Sequence, residues 1–205
     1  MDNKKDRGPI RLALTGGIGS GKSAAMSMLA ARGVPCLDTD RLVHDLLEQD
    51  EVRERVAAHL GIDPPAAGEE GRRQLAAVVF ADGAKLHALE EIIFPLVRSR
   101  IIDWFREPSV FGAAVAAVEI PLLFESGMED IFDQVVLITA PAGVRRARTA
   151  GTAGSADFER RSARQLAEAE KLPRAQIVFE NSGSLQQLEE FVRGLLEWLQ
   201  SAEEN

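Results

Sequence analysis

The residues with the most specific spacing lie near the start of the chain, in the stretch GGIGSGKS at 16–23. It fits the pattern G-x-x-x-x-G-K-[ST], in which glycines allow backbone N–H groups to converge on phosphate oxygens. The apolar run IRLAL at 10–14 precedes it, and a helical pattern from Lys22 to Arg32 follows it. This strand-to-helix context is the one that the pattern requires. The sequence therefore predicts a phosphate-binding turn.

We expect this turn to bind ATP together with Mg²⁺. Lys22 is predicted to reach the β- and γ-phosphates, and Ser23 is predicted to be a metal ligand. The contacts to the nucleotide are assigned to Gly17, Ile18, Gly19, Ser20, Gly21, Lys22, Ser23 and Ala24. The structural alternative is a glycine-rich turn that carries a solvated lysine.

Two carboxylates in the stretch DTD, Asp38 and Asp40, follow the short predicted strand VPCLD at 34–38. At the carboxyl end of a parallel strand, they are expected on the sheet edge that faces the phosphate turn. One of them is predicted to orient an acceptor hydroxyl and receive its proton, and the other to hold Mg²⁺ through water. The alternative is that one merely caps the helix that begins near Arg41, which is compatible with a catalytic role.

The elements that position these residues alternate between strands and helices. Further apolar strands are predicted at 113–120, 134–140 and 176–181, and the final helix carries one apolar stripe from Leu185 to Leu199. This alternation predicts an α/β fold with a parallel sheet covered by helices on both faces. Ligands are then expected at the carboxyl ends of the strands.

The middle of the chain has helical periodicity without an obvious strand. Helical patterns run from about 40 to 60, from 72 to 80 and from 86 to 93, and they resume after Pro95 through Arg106. An exposed loop rich in Pro and Gly is predicted at 61–71. We therefore expect a helical insertion in the α/β core.

Composition excludes several classes of function. The chain has 205 residues, of which 45% are hydrophobic, so one sizeable core is expected. A formal net charge of −8 argues against broad binding to nucleic acid or to an anionic membrane. No stretch approaches the roughly 20 apolar residues of a membrane helix, and the single Cys36 permits no internal disulfide. We expect a cytoplasmic protein, with a monomer favoured.

Beyond these residues, the chain resembles the dephospho-coenzyme A kinases over almost its whole length. The motifs that carry the resemblance, in chain order, are LTGGIGSGKS at 14–23, LDTD at 37–40, RRQLAAVVFAD at 72–82, LEEIIFPLVRSRI at 89–101, EIPLLFESG at 119–127 and ENSGS at 180–184. Other small P-loop kinases share the turn without the PLLFE and FPLV segments in these places. The ordered combination is therefore more specific than the turn alone.

The resemblance implies a P-loop NTPase fold with a five-stranded parallel sheet flanked by helices, a helical acceptor-binding insertion and a lid. It implies core segments at about 8–40, 110–145 and 174–205, the insertion at about 41–107 and the lid at about 145–160. It also implies a reaction in which ATP phosphorylates the ribose 3′-hydroxyl of dephospho-coenzyme A, giving coenzyme A and ADP.

Site residues follow from the resemblance by position. Asp40 matches the residue favoured as general base, and Glu119 matches a carboxylate that helps to hold the metal through water. Asn181 matches an asparagine near the adenine. Acceptor contacts are assigned to Arg72, Phe94, Arg98 and Glu125. Solvated helix arginines and a turn-forming asparagine are the alternatives for Arg72, Arg98 and Asn181.

Three departures from the family pattern are visible. Phe94 stands where the family usually has histidine, and Ala24 replaces a common threonine after Ser23. In the lid, Gly151 stands near the expected second arginine, so Arg148 is predicted to neutralise charge on the transferred phosphoryl group from one helical turn earlier. Two alternatives are retained because of these departures: a kinase of another small acceptor, such as a nucleoside monophosphate, and a nucleotide-binding pseudokinase.

Overall fold

The fold is built on a five-stranded parallel sheet, as predicted. With the strands numbered along the chain, their order in the sheet is β2-β3-β1-β4-β5. A computed structural model describes residues 8–150, 158 and 162–202. The strands are β1 (Ile10–Gly16), β2 (Cys36–Asp38), β3 (Val115–Glu119), β4 (Gln134–Thr139) and β5 (Ile177–Glu180). Register places Leu14 of β1 beside Glu119 of β3 and Val136 of β4. The carboxyl end of β1 is thus flanked by the ends of two other strands.

Central strands of this sheet are buried on both faces. All five residues of β3 and the last five residues of β1 are buried. Side chains of successive strand residues point to opposite faces, so both faces must be covered. This explains why these segments are nearly continuous apolar runs instead of alternating patterns.

The structure gives bounds for nine helices within the described residues. They are α1 (Lys22–Ala30), α2 (Thr39–Leu47), α3 (Asp50–Leu60), α4 (Gly68–Ala81), α5 (Gly83–Trp104), α6 (Pro108–Phe111), α7 (Ala142–Thr149), α8 (Glu168–Lys171) and α9 (Leu185–Ala202). Short 3-10 turns occur at Glu129–Ile131 and Leu172–Arg174. No helix of the described ranges is long and apolar enough to span a membrane.

One face of the sheet is covered by α1 and α9. Ala25, Met26 and Leu29 of α1 share a core with residues of β1, β3 and β4. The residues of α9 in this core are Leu188, Val192, Leu195, Leu196 and Leu199. The apolar stripe predicted for the last helix therefore packs on the sheet, although Leu185 at its start is 67% exposed.

Cys36 lies in β2, is partly buried and packs against this core. Desolvation by burial raises the pKa of its thiol from 9.0 to about 11.

Two sequence expectations about helices were wrong. The two helical patterns predicted on either side of Pro95 belong to one helix, α5, which continues through the proline. Proline in a helix interior costs about 3 kcal/mol, and burial of Ile92, Ile93, Val97 and Ile101 on the same helix offsets that cost. The loop predicted at 61–71 ends earlier than expected, since α4 begins at Gly68.

Residues 38–103 form a compact unit separate from the rest of the chain. It contains helices α2 to α5, and the buried apolar side chains on these helices include Leu46, Val56, Val79 and Ile93. The other unit comprises residues 1–37 and 104–205 and holds the phosphate turn.

Candidate active site

The predicted phosphate turn connects the end of β1 at Gly16 to the start of α1 at Lys22. Gly19 and Gly21 have φ angles of 75° and 104°, in the left-handed region that glycine tolerates best. A Cβ added at Gly19 would lie 2.7 Å from the carbonyl oxygen of Arg145, and one added at Gly21 would collide with the Asn181 amide. The glycines are thus required both by the backbone conformation and by close neighbours.

Lys22 is buried, with 7% of its surface exposed. Its Nζ donates to the carbonyl oxygens of Gly16 (3.0 Å) and Gly17 (3.1 Å). A buried ammonium group needs such acceptors, because desolvation of an unpaired charge is costly. The lysine is therefore held over the turn that it is predicted to serve.

The two predicted metal-binding residues lie together. Ser23 Oγ donates to Glu119 Oε1 at 3.1 Å, and Glu119 is only 9% exposed at the end of β3. A hydroxyl and a carboxylate supply the oxygen atoms that Mg²⁺ prefers. The donor set therefore fits Mg²⁺. Among the described residues, there is no cluster of three or more His, Cys, Asp or Glu side chains suited to a metal.

Helix α7 brings two arginines to the phosphate turn. Arg148 Nη1 donates to the carbonyl oxygen of Ser20 at 3.4 Å, and Arg145 Nε donates to that of Ala140 at 3.1 Å. A Cβ added at Gly17 would lie 2.7 Å from Arg145 Nη1, so this guanidinium group also borders the turn. Of the predicted lid, residues 151–157 and 159–160, which include Gly151, lie outside the described residues.

Arg145 was not assigned as a site residue from the sequence. Its guanidinium carbon lies 5.9 Å from the centroid of the Phe158 ring, and that of Arg146 lies 6.0 Å from the same centroid. The three arginines at 145, 146 and 148 could not be ranked by spacing alone, because which one borders Gly17 depends on how α7 packs against the turn.

Asn181 is buried beneath the turn. Its Nδ2 donates to the carbonyl oxygen of Ser20 at 2.8 Å, and its own backbone N–H donates to Thr139 O at 2.8 Å. The side chain predicted to lie near the adenine thus supports the turn itself in this structure.

Glu125, assigned to acceptor binding, is tied to a segment that follows the lid. Its Oε1 accepts from Leu166 N (2.7 Å) and forms an ion pair with Lys171 Nζ (3.0 Å). The two side chains of the pair are 12% and 4% exposed. Lys171 was missed from the sequence, where it follows a run of glutamate and alanine and has no distinguishing pattern.

Gln165 is a second residue that sequence reasoning missed. Its Nε2 donates to the carbonyl oxygens of Gly16 (3.2 Å) and Pro121 (2.9 Å). The first partner opens the phosphate turn, and the second follows β3. A glutamine 149 residues along the chain from its partner gives no signal in a single sequence.

The carboxylates after β2 have different environments. Asp38 Oδ1 accepts from the N–H groups of Asp40 (2.9 Å) and Arg41 (3.4 Å), and thereby caps α2. The capping interpretation holds for Asp38, and the helix begins at Thr39. Asp40 is exposed in the first turn of α2.

Within the unit of residues 38–103, the predicted acceptor-binding residues lie on α4 and α5. Arg72 of α4 pairs with Glu48, which also accepts from Gly68 N at 2.9 Å. Phe94 and Arg98 are both half-buried on α5, one helical turn apart. Phe94 and Arg98 therefore share one side of α5.

Comparison with known proteins identifies relatives across nearly the whole chain. A family model described as CoaE, dephospho-CoA kinase, matches residues 10–187. The chain is 36% identical to a dephospho-CoA kinase of Brucella melitensis over 195 residues, which cover 91% of this chain and 95% of the relative.

Solved structures agree with this result. The crystal structure of TT1252 from Thermus thermophilus matches with a TM-score of 0.78 and 35% identity, covering 94% of this chain and 99% of the other. A dephospho-CoA kinase from Campylobacter jejuni matches with a TM-score of 0.69 and 21% identity, covering 95% and 99% of the two chains. At that identity, the second likeness shows the fold alone.

Proposed function

The chain belongs to the dephospho-CoA kinase family, and we propose that it transfers the γ-phosphoryl group of ATP to the ribose 3′-hydroxyl of dephospho-coenzyme A. The products would be coenzyme A and ADP, in the last step of coenzyme A synthesis. In this reaction, the 3′-oxygen forms a bond to the γ-phosphorus, and the bond from that phosphorus to the β,γ-bridging oxygen breaks.

The observation that carries this proposal is the assembly of the phosphate turn with Glu119. Backbone N–H groups of the phosphate turn and of the first residues of α1 can bind the β- and γ-phosphates. Lys22 is already held at this turn by two carbonyl oxygens. Its ammonium group would neutralise phosphate charge once it leaves those acceptors for the nucleotide.

Magnesium is proposed to be held by Ser23 directly and by Glu119 through water. When bound, it would neutralise charge on the phosphate oxygens. The chain's contribution is a pair of oxygen ligands already 3.1 Å apart.

Asp40 is the proposed general base, which takes the proton of the 3′-hydroxyl as the new bond forms. Asp38 caps the helix that carries Asp40 and so fixes the start of α2. This division of roles agrees with the exposed position of Asp40 and with the backbone donors already occupying Asp38 Oδ1.

Arginines are proposed to stabilise the negative charge of the reacting groups. Arg148 would neutralise charge on the transferred phosphoryl group, supported by its contact with Ser20 O. Arg72 and Arg98 would bind the phosphates of the acceptor, and Phe94 and Glu125 would complete its binding site. Since Phe94 has no hydrogen-bonding group, its contribution must be apolar contact.

A steady-state assay with ATP, Mg²⁺ and a panel of acceptors tests the proposal. ADP formation with dephospho-coenzyme A, and not with nucleoside monophosphates, is expected. Turnover with a nucleoside monophosphate alone would instead favour a kinase of that acceptor. Tight ATP binding without turnover of any acceptor would favour a pseudokinase.

A further inference from the structure

Gln165 occupies the end of the hydrogen-bond ladder between β1 and β3. Ile120 N donates to Leu14 O at 2.9 Å in this ladder. Two residues further along β1, Gly16 O receives its hydrogen bond from Gln165 Nε2, whose second donor reaches Pro121 O. β3 ends at Glu119, and the chain turns from Pro121 onward. The glutamine amide therefore joins the end of β1 to the turn that follows β3.

The same carbonyl oxygen is an acceptor for Lys22. Gly16 O lies 3.0 Å from Lys22 Nζ and 3.2 Å from Gln165 Nε2, and Gly16 is buried. When Lys22 turns to a phosphate group, Gly16 O loses the ammonium donor. A buried carbonyl left without a partner is costly, and Gln165 prevents that cost.

The backbone beside Gln165 is firmly anchored. Leu166 N donates to Glu125 Oε1 at 2.7 Å, and the same oxygen pairs with buried Lys171 at 3.0 Å. Glu125 and Pro121 both follow β3 within one short segment. Because the backbone next to Gln165 is fixed, the Gln165 side chain loses less conformational entropy when it binds the turn than it would on a free segment. It is therefore suited to holding the turn in one shape.

We propose that Gln165 is a positioning residue of the nucleotide site. It keeps the carbonyl group of Gly16 hydrogen-bonded, and the phosphate turn in place beside the end of β3, when Lys22 moves from Gly16 to the nucleotide. The proposal rests on the proposed function only in requiring a nucleotide at this turn. It does not depend on the identity of the acceptor.

Calorimetric titration of the full chain with ADP and Mg²⁺, without any acceptor, tests this role. Gln165→Met retains the length of the side chain and removes both donors. It is expected to weaken ADP binding about tenfold, equivalent to about 1.4 kcal/mol. ADP binding within twofold of the unaltered protein would overturn the proposal.

Gln176→Met is the matched control. Gln176 Oε1 accepts from Val135 N at 2.8 Å, so this change also removes a bond between a side chain and a distant backbone group, but at the amino end of β4. We expect it to lower thermal stability and to leave the affinity for ADP unchanged. Equal losses of affinity in the two variants would indicate a general structural role and would also overturn the proposal.

A double-variant cycle tests the link to Lys22. In a Lys22→Met background, Gly16 O has no lysine donor either before or after nucleotide binds. The hydrogen bond from Gln165 then stabilises the free and the nucleotide-bound protein equally. Gln165→Met should then weaken ADP binding by less than twofold. A full tenfold loss in that background would contradict the proposed exchange of donors.

Gln165→Glu provides a second variant of similar size. Its carboxylate oxygens have no hydrogen to donate to the carbonyl oxygens of Gly16 and Pro121. It is expected to weaken ADP binding at least as much as the methionine. An unaltered protein that binds ADP but does not phosphorylate dephospho-coenzyme A would refute the proposed function and leave the role of Gln165 supported, if the variants behave as described.

Discussion

Ser23 Oγ donates a hydrogen bond to Glu119 Oε1 at 3.1 Å, although 96 residues separate the two in the chain. Ser23 is the second residue of the helix after the phosphate turn, and Glu119 ends the neighbouring strand β3. The contact follows from the sheet order, which places β3 directly beside β1. It joins the hydroxyl and the carboxylate that are proposed to hold Mg²⁺.

The first prediction concerns Glu119. Glu119→Gln keeps the size of the side chain but removes the negative charge, so the Mg²⁺ concentration required for half-maximal turnover should rise roughly 10- to 100-fold. The measurement is initial rate against Mg²⁺ at fixed ATP. Glu180→Gln, at the exposed end of β5, is the control and should not shift this curve. An unchanged Mg²⁺ requirement in Glu119→Gln would remove this carboxylate from the metal site.

The second prediction concerns the proposed general base. Asp40→Asn should lower kcat by at least about 100-fold, the usual minimum for loss of a general base. The affinity for ATP should remain within about twofold, since backbone donors and Lys22 bind the phosphates. Asp45→Asn, an exposed carboxylate on the same helix, serves as control. Wild-type turnover by the Asp40 variant would show that the hydroxyl loses its proton elsewhere.

The third prediction concerns the role of Asp38 as the N-cap of α2. Asp38→Ala removes the acceptor for two N–H groups of α2 and should destabilise the fold by about 1 kcal/mol. Asp38→Asn should lose only a few tenths of a kcal/mol, because asparagine is also a good N-cap. Urea unfolding measures both values. Equal destabilisation by the two changes would argue against the capping role.

The fourth prediction concerns the buried pair of Glu125 and Lys171. Lys171→Met leaves a carboxylate buried without its ion-pair partner and should destabilise the fold by about 3 to 5 kcal/mol. The comparison is Arg73→Met, which breaks an exposed pair with Glu70 and should cost less than about 1 kcal/mol. Unfolding in urea again provides the measurement. Restored stability in the double variant Lys171→Met with Glu125→Gln would confirm that the cost comes from the unpaired charge.

The fifth prediction concerns the pH dependence of Cys36. Because burial raises the pKa of its thiol from 9.0 to about 11, the folded protein at pH 8 should have roughly 100-fold less thiolate than the unfolded chain. Alkylation by iodoacetamide should slow by a similar factor. The folded state favours the protonated thiol. Its contribution to the free energy of unfolding is therefore fully present below pH 9 and is lost as the pH rises toward 11. Equal alkylation rates in buffer and in urea would contradict the raised pKa.

Much of the fold was predictable from local pattern. The apolar runs that became β1, β3 and β4 were identified from the sequence because central parallel strands are buried on both faces. The stripe of α9 was also visible. The single helix through Pro95 was not, since local propensity opposes it and only the burial of Ile92, Ile93, Val97 and Ile101 outweighs the proline.

The sequence by itself determined the phosphate turn, because the chemistry of Gly16 to Ser23 is local: glycines, a lysine and a helix N-terminus are adjacent in the chain. It also placed Asp38 and Asp40 at the end of a strand. The tertiary structure alone decided which distant groups complete that turn. The resemblance assigned Glu119 and Asn181 to the site, but their contacts with the turn, and the presence of Gln165, follow from sheet order and packing, which no local periodicity records.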